Sequence, residues 1–228
     1  MTTTTTPSPD RLLDRPARVP SDAPLSSPLA AFRRLAGPMA AFAGLAILVA
    51  QLVMLPFDPK DHEATSQSVQ FQIGGVLYLI AFCALVLVPF GAYCWQAHRT
   101  GSFGVFATCA AVIGTVLLGG DLWFETFAVP WIADTSPKLL DSDPTFLIAA
   151  GAITSYLAFA VGWVLFGIAA SRARVFPRWI SVAVIVGGVI GFRALLAPTG
   201  MPIGFAVAAL GIWMMRTMRS ERRVAPAR

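Results

Sequence analysis

Residues 69–95 read VQFQIGGVLYLIAFCALVLVPFGAYCW, and no charged side chain interrupts this stretch. An α-helix rises about 1.5 Å per residue and the hydrocarbon core of a bilayer is about 30 Å thick, so about 20 apolar residues cross it. Residues 69–95 exceed that length. We therefore predict that this segment is a transmembrane helix.

Five further apolar segments flank this stretch, and the composition of the chain agrees with them. Only 13% of the 228 residues are charged, against about 25% in soluble domains, and the mean hydropathy is +0.69. We predict an all-α integral membrane bundle of six transmembrane helices. In chain order, their predicted ranges are residues 38–57, 69–95, 103–129, 146–170, 179–197 and 201–218.

The two ends of the chain differ in composition from the apolar segments. Residues 1–37 begin with a Thr, Pro, Ser and Asp-rich stretch that has no apolar period, which is typical of a disordered tail. We predict a disordered cytoplasmic tail over residues 1–37, a six-helix transmembrane domain over residues 38–218 and a basic cytoplasmic tail over residues 219–228.

The distribution of basic residues predicts the orientation in the membrane. With the N-terminus inside, 14 arginines fall on the cytoplasmic side, whereas Lys60 and Lys138 fall in outer loops. This asymmetry is what the positive-inside rule selects. We predict a multi-pass protein of the cytoplasmic (inner) membrane with both termini in the cytoplasm. The arginines lie in short patches between apolar runs, which argues against nucleic-acid binding despite a net charge of +5.

The chain also contains a faint internal repeat. Residues 71–75 and 146–150 open the second and fourth segments, and residues 112–114 and 189–191 match within the third and fifth, at offsets of 75 to 77 residues. One interpretation is a weak parallel repeat of helical hairpins, formed by spans two and three and by spans four and five. Chance similarity between apolar sequences is the alternative.

The third segment has two dissimilar faces. Ala107, Ala110, Gly114 and Ala128 project to the same side as Asp121 and Glu125, whereas Val105, Val112, Val116, Trp123 and Phe127 project to the other. Helices in lipid associate through small residues and polar contacts. We predict that the small face points into the bundle and that the bulky face meets lipid.

Asp121 and Glu125 are the only acidic residues inside the predicted spans, and their spacing places them on one helix face. Carboxylates within a membrane are costly and often functional. Arg193, the only basic residue within a predicted span apart from Arg216 near the end of the sixth, lies at a depth comparable to that of Asp121. We predict an outward-facing pocket, whose candidate residues are Asp121, Glu125, Arg193, Gln51, Gln72 and Tyr156.

Three functional hypotheses fit this pattern. The first is outward-facing binding or transport of a small solute, a proton or an amphiphile that uses Asp121 and Glu125. The second is a membrane-embedded enzyme that uses one of these carboxylates as a general acid on a lipid or isoprenoid substrate. The third is a structural or regulatory subunit of a membrane complex. The expected partners are the lipid bilayer and a small solute or lipid ligand.

We expect neither a cofactor nor a metal site. His62 and His98 fall in predicted loops on opposite sides of the membrane, so the two imidazoles cannot share one ligand. No phosphate-binding or zinc-hydrolase motif occurs in the sequence.

Two stretches resemble a loose group of small multispanning membrane proteins that are common in actinobacteria. They are GGDLWFETFAVP at residues 119–130 and the turn over residues 93–103, which contains HRTGSFG. The resemblance covers roughly residues 38–215. It implies a bacterial cytoplasmic membrane, and it assigns no reaction and no functional residues.

The predicted orientation is tested by fusing a reporter to the C-terminus of the chain. We expect a green fluorescent protein fusion to fluoresce and an alkaline phosphatase fusion to be inactive, because the arginine-rich C-terminal end is retained in the cytoplasm. High phosphatase activity together with a dark fluorescent fusion would contradict the orientation.

Overall fold

The structure is a computed structural model that describes residues 27–56, 62–140 and 142–224, and helices make up its regular elements. No strand occurs in these ranges, so the all-α prediction is confirmed. A π-helix (Phe124–Ala128) joins α3 to α4, and 3-10 turns follow α4 (Pro137–Leu139) and α6 (Gly191–Arg193). The α-helices are α1 (Ser27–Met54), α2 (His62–Gln67), α3 (Val69–Trp123), α4 (Val129–Thr135), α5 (Phe146–Ala173), α6 (Arg178–Ile190) and α7 (Met201–Val224).

Within the described ranges, four helical segments are long and apolar enough to cross a bilayer, which indicates a membrane-embedded protein. The number is smaller than the six we predicted, for two reasons. The second and third predicted segments are counted once, because both lie in the helical segment Val69–Thr135, which is interrupted at Gly101. The fifth corresponds to α6, which has only 13 residues. The four segments are Ala30–Met54, Val69–Thr135, Phe146–Ala173 and Met201–Ser220.

Helix α3 reverses its direction at Gly101. This residue has φ 55° and ψ −150°, a conformation that glycine adopts without a steric penalty. Gly75 lies against the side chain of Thr126, and Gly119 lies against the ring of Phe82. Both contacts join positions that lie within one residue of the same distance before and after Gly101. Residues 69–100 and residues 102–123 therefore form an antiparallel helical hairpin.

The other long helices are also antiparallel to their neighbours, because early positions of one helix contact late positions of the next. Helix α1 packs against α3 and α7, and α5 packs against α3 and α6. The contacts that establish the directions are Gly91–Ala36 and Gly74–Met54 between α1 and α3, and Gly114–Ala158 and Gly162–Ala110 between α3 and α5. Between α5 and α6 they are Gly188–Val164 and Gly167–Ile185, and between α1 and α7 they are Gly44–Ala208 and Gly37–Met215. Contacts between α1 and α7 close the bundle into a ring.

This alternation gathers the charged residues at two opposite ends of the bundle. We call the end with the start of α1, Gly101 and the end of α7 the arginine end. Its arginines are Arg33, Arg34, Arg99, Arg172, Arg174, Arg178, Arg216 and Arg219. We call the other end the acidic end, where Asp121, Glu125, Asp134 and Asp143 lie together with Lys138 and Arg193.

Glycines set the separation between the helices. A Cβ atom on Gly114 would lie 2.3 Å from the carbonyl oxygen of Ala158, and one on Gly162 would lie 2.4 Å from the carbonyl oxygen of Ala110. A Cβ atom on Gly44 would similarly lie 2.3 Å from the backbone nitrogen of Ala208. Only glycine permits these approaches, which bring helix backbones into direct van der Waals contact.

The predicted orientation of the third segment is confirmed. Ala107 and Gly114 are buried on the small face, and Asp121 and Glu125 are half-buried. The residues of the bulky face are exposed at the surface of the bundle, where lipid chains would cover them. They are Val105, Val116, Trp123 and Phe127, whereas Val112 of the same predicted face is half-buried.

Helices α1 and α7 extend into the ranges that we predicted as N-terminal and C-terminal tails. Helix α1 begins at Ser27, so residues 27–37 are helical rather than part of a disordered tail, while residues 1–26 lie outside the described ranges. The helix continues through Pro38, because Ala and Leu residues on both sides favour helix. Helix α7 likewise continues through residues 219–224 of the predicted C-terminal tail.

The internal repeat stays a prediction. Residues 69–123 and residues 146–190 each form a helical hairpin. The second limbs differ in length, however, since α6 has 13 residues and residues 102–123 of α3 form a longer helix that continues into the π-helix.

The glycine contacts generate a stability prediction with a matched control. We expect Gly114→Ala to destabilise the protein by about 1–3 kcal/mol, because the new methyl group collides with backbone that cannot yield cheaply. Gly151→Ala changes helix propensity equally, yet a Cβ atom there meets nothing within 4 Å. The measurement is the melting temperature of the purified protein in detergent. Equal melting temperatures for the two variants would contradict the role of Gly114.

Candidate functional site

Asp121 joins α3 to α5 through a hydrogen bond. The hydroxyl of Ser155, a buried residue of α5, lies within hydrogen-bonding distance of the Asp121 carboxylate and donates to it. The same hydroxyl oxygen lies 2.9 Å from the carbonyl oxygen of Ala152. The hydrogen bond partly compensates a half-buried carboxylate for lost hydration. It also holds the Asp121 side chain on the side that faces α5.

Glu125 lies in the π-helix Phe124–Ala128, one turn beyond Asp121. A π-helical turn inserts extra backbone into an α-helix, and such turns are frequent at functional sites. Thr126, next to Glu125, is buried against Gly75 and so anchors the turn to the first limb of α3. The Glu125 side chain remains half-buried, like that of Asp121.

Tyr156 follows Ser155 on α5 and lies within electrostatic range of Asp121, Glu125 and Arg193. The Tyr156 ring makes an edge contact with Phe192, with ring centroids 6.0 Å apart, and the Arg193 side chain is exposed. The structure therefore brings together four of the six candidate residues. We call Asp121, Glu125, Tyr156 and Arg193 the carboxylate cluster.

Gln51, a fifth candidate, belongs to a separate and fully buried hydrogen-bond network. Its side-chain nitrogen donates to the carbonyl oxygen of Ala194 at 3.0 Å, and its side-chain oxygen accepts from the backbone N–H of Gly200 at 3.1 Å. The Tyr78 hydroxyl donates to the same Ala194 carbonyl at 2.6 Å. Because Gln51 is 0% exposed, it does not line an outward-facing pocket.

This network fixes the connection between α6 and α7. Residues 191–200 are not α-helical, yet Ala194 and Gly200 within them are buried. Irregular backbone at membrane depth is tolerated only where protein or water satisfies its polar groups. Gln51 from α1 and Tyr78 from α3 supply those partners, so their role is to anchor this connection.

Gln72, the sixth candidate, contacts the short helix α2. Its side-chain nitrogen lies 3.5 Å from the carbonyl oxygen of Ser66, and the residue is half-buried. This contact ties the beginning of α3 to the preceding turn at the acidic end. It does not bring Gln72 into the carboxylate cluster.

Sequence reasoning missed the contribution of two other polar residues. Ser155 lies among the small residues of the fourth predicted segment, and it is the hydrogen-bond donor to Asp121. Gln96 lies just beyond the second predicted segment, yet it is helical and 0% exposed. The spacing of Ser155 among small residues indicated a helix contact, and no pattern indicated that its partner is Asp121.

Within residues 27–56, 62–140 and 142–224, no group of three or more His, Cys, Asp or Glu side chains is arranged to hold a metal ion. Comparisons with protein families, with curated proteins and with solved structures give no match. The geometry of the chain itself therefore carries the functional argument.

The buried network generates a second stability prediction. We expect Gln51→Leu to destabilise the protein by about 1–3 kcal/mol, because the Gly200 N–H loses its partner. Tyr78→Phe should cost less, about 1 kcal/mol, since the Ala194 carbonyl keeps one donor. Gln72→Leu, which removes a single long contact, is the control. Unfolding in detergent measures all three variants, and a Gln51→Leu protein as stable as the control would contradict the anchoring role.

Proposed function

We propose that this chain is a six-span protein of a bacterial cytoplasmic membrane, with both termini in the cytoplasm. We further propose that it binds a small organic cation at the acidic end, on the outer side of the membrane. The observation that carries the second proposal is the half-buried Asp121 carboxylate, held by Ser155, with Glu125 half-buried one turn further along the same helix.

The reversal of α3 supports two of the six spans. Residues 69–100 and residues 102–135 are each longer than the about 20 residues that cross a bilayer. They lie antiparallel, as the contacts of Gly75 with Thr126 and of Gly119 with Phe82 require. One helical segment therefore supplies an inward and an outward crossing.

The short helix α6 supports the fifth span. Its 13 residues and the 3-10 turn that follows extend about 26 Å, close to the hydrocarbon thickness of about 30 Å. The buried connection held by Gln51 and Tyr78 completes the crossing. With this span counted, all arginines of the arginine end share one side, and the positive-inside rule selects the cytoplasm for it.

The charges of the carboxylate cluster favour a cationic ligand. The cluster contains two carboxyl groups and one guanidinium group, so it carries one excess negative charge when all three groups are ionised. A half-buried negative charge beside lipid loses hydration, and the hydrogen bond from Ser155 compensates only part of that loss. A bound cation would supply the remaining compensation.

The aromatic side chains beside the cluster favour an organic cation over a metal ion. The ring of Tyr156 is half-buried and the ring of Phe192 packs against its edge. Aromatic faces attract ammonium groups through cation–π interactions, which strengthen where water is excluded. A metal ion would instead require a full shell of oxygen ligands.

The core beneath the cluster supports binding rather than free passage through the bundle. Fully buried aromatic rings contact one another in a continuous chain between α3 and α5. The ring centroids are 5.0 Å apart for Tyr78 and Phe82, 5.8 Å for Phe82 and Phe159, 6.1 Å for Phe159 and Trp163, and 5.8 Å for Trp163 and Phe166. A solute would have to displace these rings to cross the membrane. The catalytic and subunit hypotheses stay predictions without a comparable observation.

The proposal is tested by the thermal stability of the purified protein in tetraethylammonium chloride, compared with sodium chloride at the same ionic strength. At about ten times its dissociation constant, a ligand stabilises the folded state by about 1.4 kcal/mol, which raises the melting temperature by about 3–5 °C. We expect this rise in the wild type and its loss in Asp121→Asn and Glu125→Gln. Asp134→Asn, which removes an exposed carboxylate at the same end, should retain it.

Two results would overturn the proposal. One is an equal rise in melting temperature with both salts, which would mean that no site distinguishes the organic cation. The other is an equal loss in Asp134→Asn and Asp121→Asn, which would mean that the net charge of the surface is responsible.

A further inference from the structure

A groove between α1 and α7 opens at the arginine end, far from the carboxylate cluster. It has a volume of about 200 Å³, smaller than the 300–1,000 Å³ or so of typical small-molecule pockets. Two charged residues and three apolar residues line it. They are Arg34, Arg219, Pro38, Met215 and Met218.

The pairing of α1 with α7 explains why both arginines lie at this groove. Gly37 lies against Met215, and Gly44 lies against Ala208, so the two antiparallel helices have a fixed register. In that register, Arg34 of α1 lies level with the turn of α7 that directly precedes Arg219. Two guanidinium groups from different helices therefore reach the mouth of one groove. Both residues are exposed.

Arg33, which precedes Arg34 in α1, contacts an aromatic ring instead of the groove. The Arg33 guanidinium lies over the ring of Trp95, 4.2 Å from the ring centroid, and so faces the interior of the bundle. Arg34, the next residue, points to the α7 side and lines the groove. The two adjacent arginines thus differ in role, and only Arg34 is placed to contact a molecule at the bundle surface.

The apolar part of the groove continues toward the middle of the bundle. Pro38, Phe42 and Leu45 follow Arg34 along the exposed face of α1 at helical spacing. Phe42 is 52% exposed and Ile212 of α7 is 36% exposed. A ligand with an anionic head and an apolar chain would place the head at the arginines and the chain along this face. Phospholipids have this shape and lie at this depth.

We propose that this groove is a binding site for a phospholipid with a net negative headgroup. The phosphate is held between Arg34 and Arg219, and the first part of an acyl chain lies over Pro38, Met215 and Met218. Arginine suits this role because its planar guanidinium group donates two parallel hydrogen bonds to a phosphate. The inference is independent of the cation site at the opposite end.

The test measures lipid binding to the detergent-purified full chain by native mass spectrometry, with phosphatidylglycerol and phosphatidylcholine as the probes. We expect the wild type to prefer phosphatidylglycerol. In the double variant Arg34→Gln/Arg219→Gln, phosphatidylglycerol binding should weaken about 30-fold, since two arginine contacts are lost. The double variant should keep the wild-type melting temperature in lipid-free detergent, because both side chains are exposed.

The matched control is the double variant Arg174→Gln/Arg178→Gln. It removes the same charge from exposed positions at the same end of the bundle but outside the groove. We expect it to retain the preference for phosphatidylglycerol. Equal weakening in both double variants would overturn the proposal in favour of general surface attraction.

A third arm of the experiment adds inorganic phosphate as a competitor. We expect millimolar phosphate to leave phosphatidylglycerol bound, because the acyl chain contributes to the affinity. Displacement of the lipid by phosphate alone, or a wild type without any preference between the two lipids, would overturn the proposal.

Discussion

The backbones of neighbouring helices touch at glycines, and the remaining features of the bundle depend on those contacts. Lipid chains are as apolar as leucine, so burial of apolar surface does not drive these helices together. Close van der Waals contact must do so instead, and it requires positions without a side chain. Gly114 and Gly162 allow the backbones of α3 and α5 to touch, and Gly44 does the same for α1 and α7. The register that these contacts impose then decides which polar side chains meet.

The helix register brings together two sets of polar residues, and the two sets differ in their chemistry. The contact between α3 and α5 places Ser155 beside Asp121, at the half-buried edge of the bundle. The contact of α1 and α3 with the α6–α7 connection places Gln51 and Tyr78 on the Ala194 carbonyl, where no solvent reaches. The second set satisfies irregular backbone within the membrane, a strict requirement. The first set leaves a carboxylate only partly compensated, which is why we associate it with ligand binding.

The antiparallel alternation of the helices separates the charges along the bundle. Asp121, Glu125, Asp134 and Asp143 lie with Arg193 and Lys138 at one end, and the arginines of the arginine end lie at the other. A continuous series of buried aromatic rings lies between them. The two ends therefore offer distinct chemistry: a negative cluster beside aromatic rings at one, and paired guanidinium groups above an apolar groove at the other. We therefore propose a separate ligand for each end.

The sequence by itself determined the helical class, the membrane character, the inward face of residues 107–125 and the placement of Asp121 and Glu125 on that face. These follow from composition, helix periodicity and the cost of charge in lipid, which are local properties of the chain. Only the tertiary structure decided that Ser155 partners Asp121, that Gln51 belongs to a buried network, and that Arg34 and Arg219 line one groove. Those pairings join residues far apart in the chain, and they depend on a helix register that close contacts at individual glycines set.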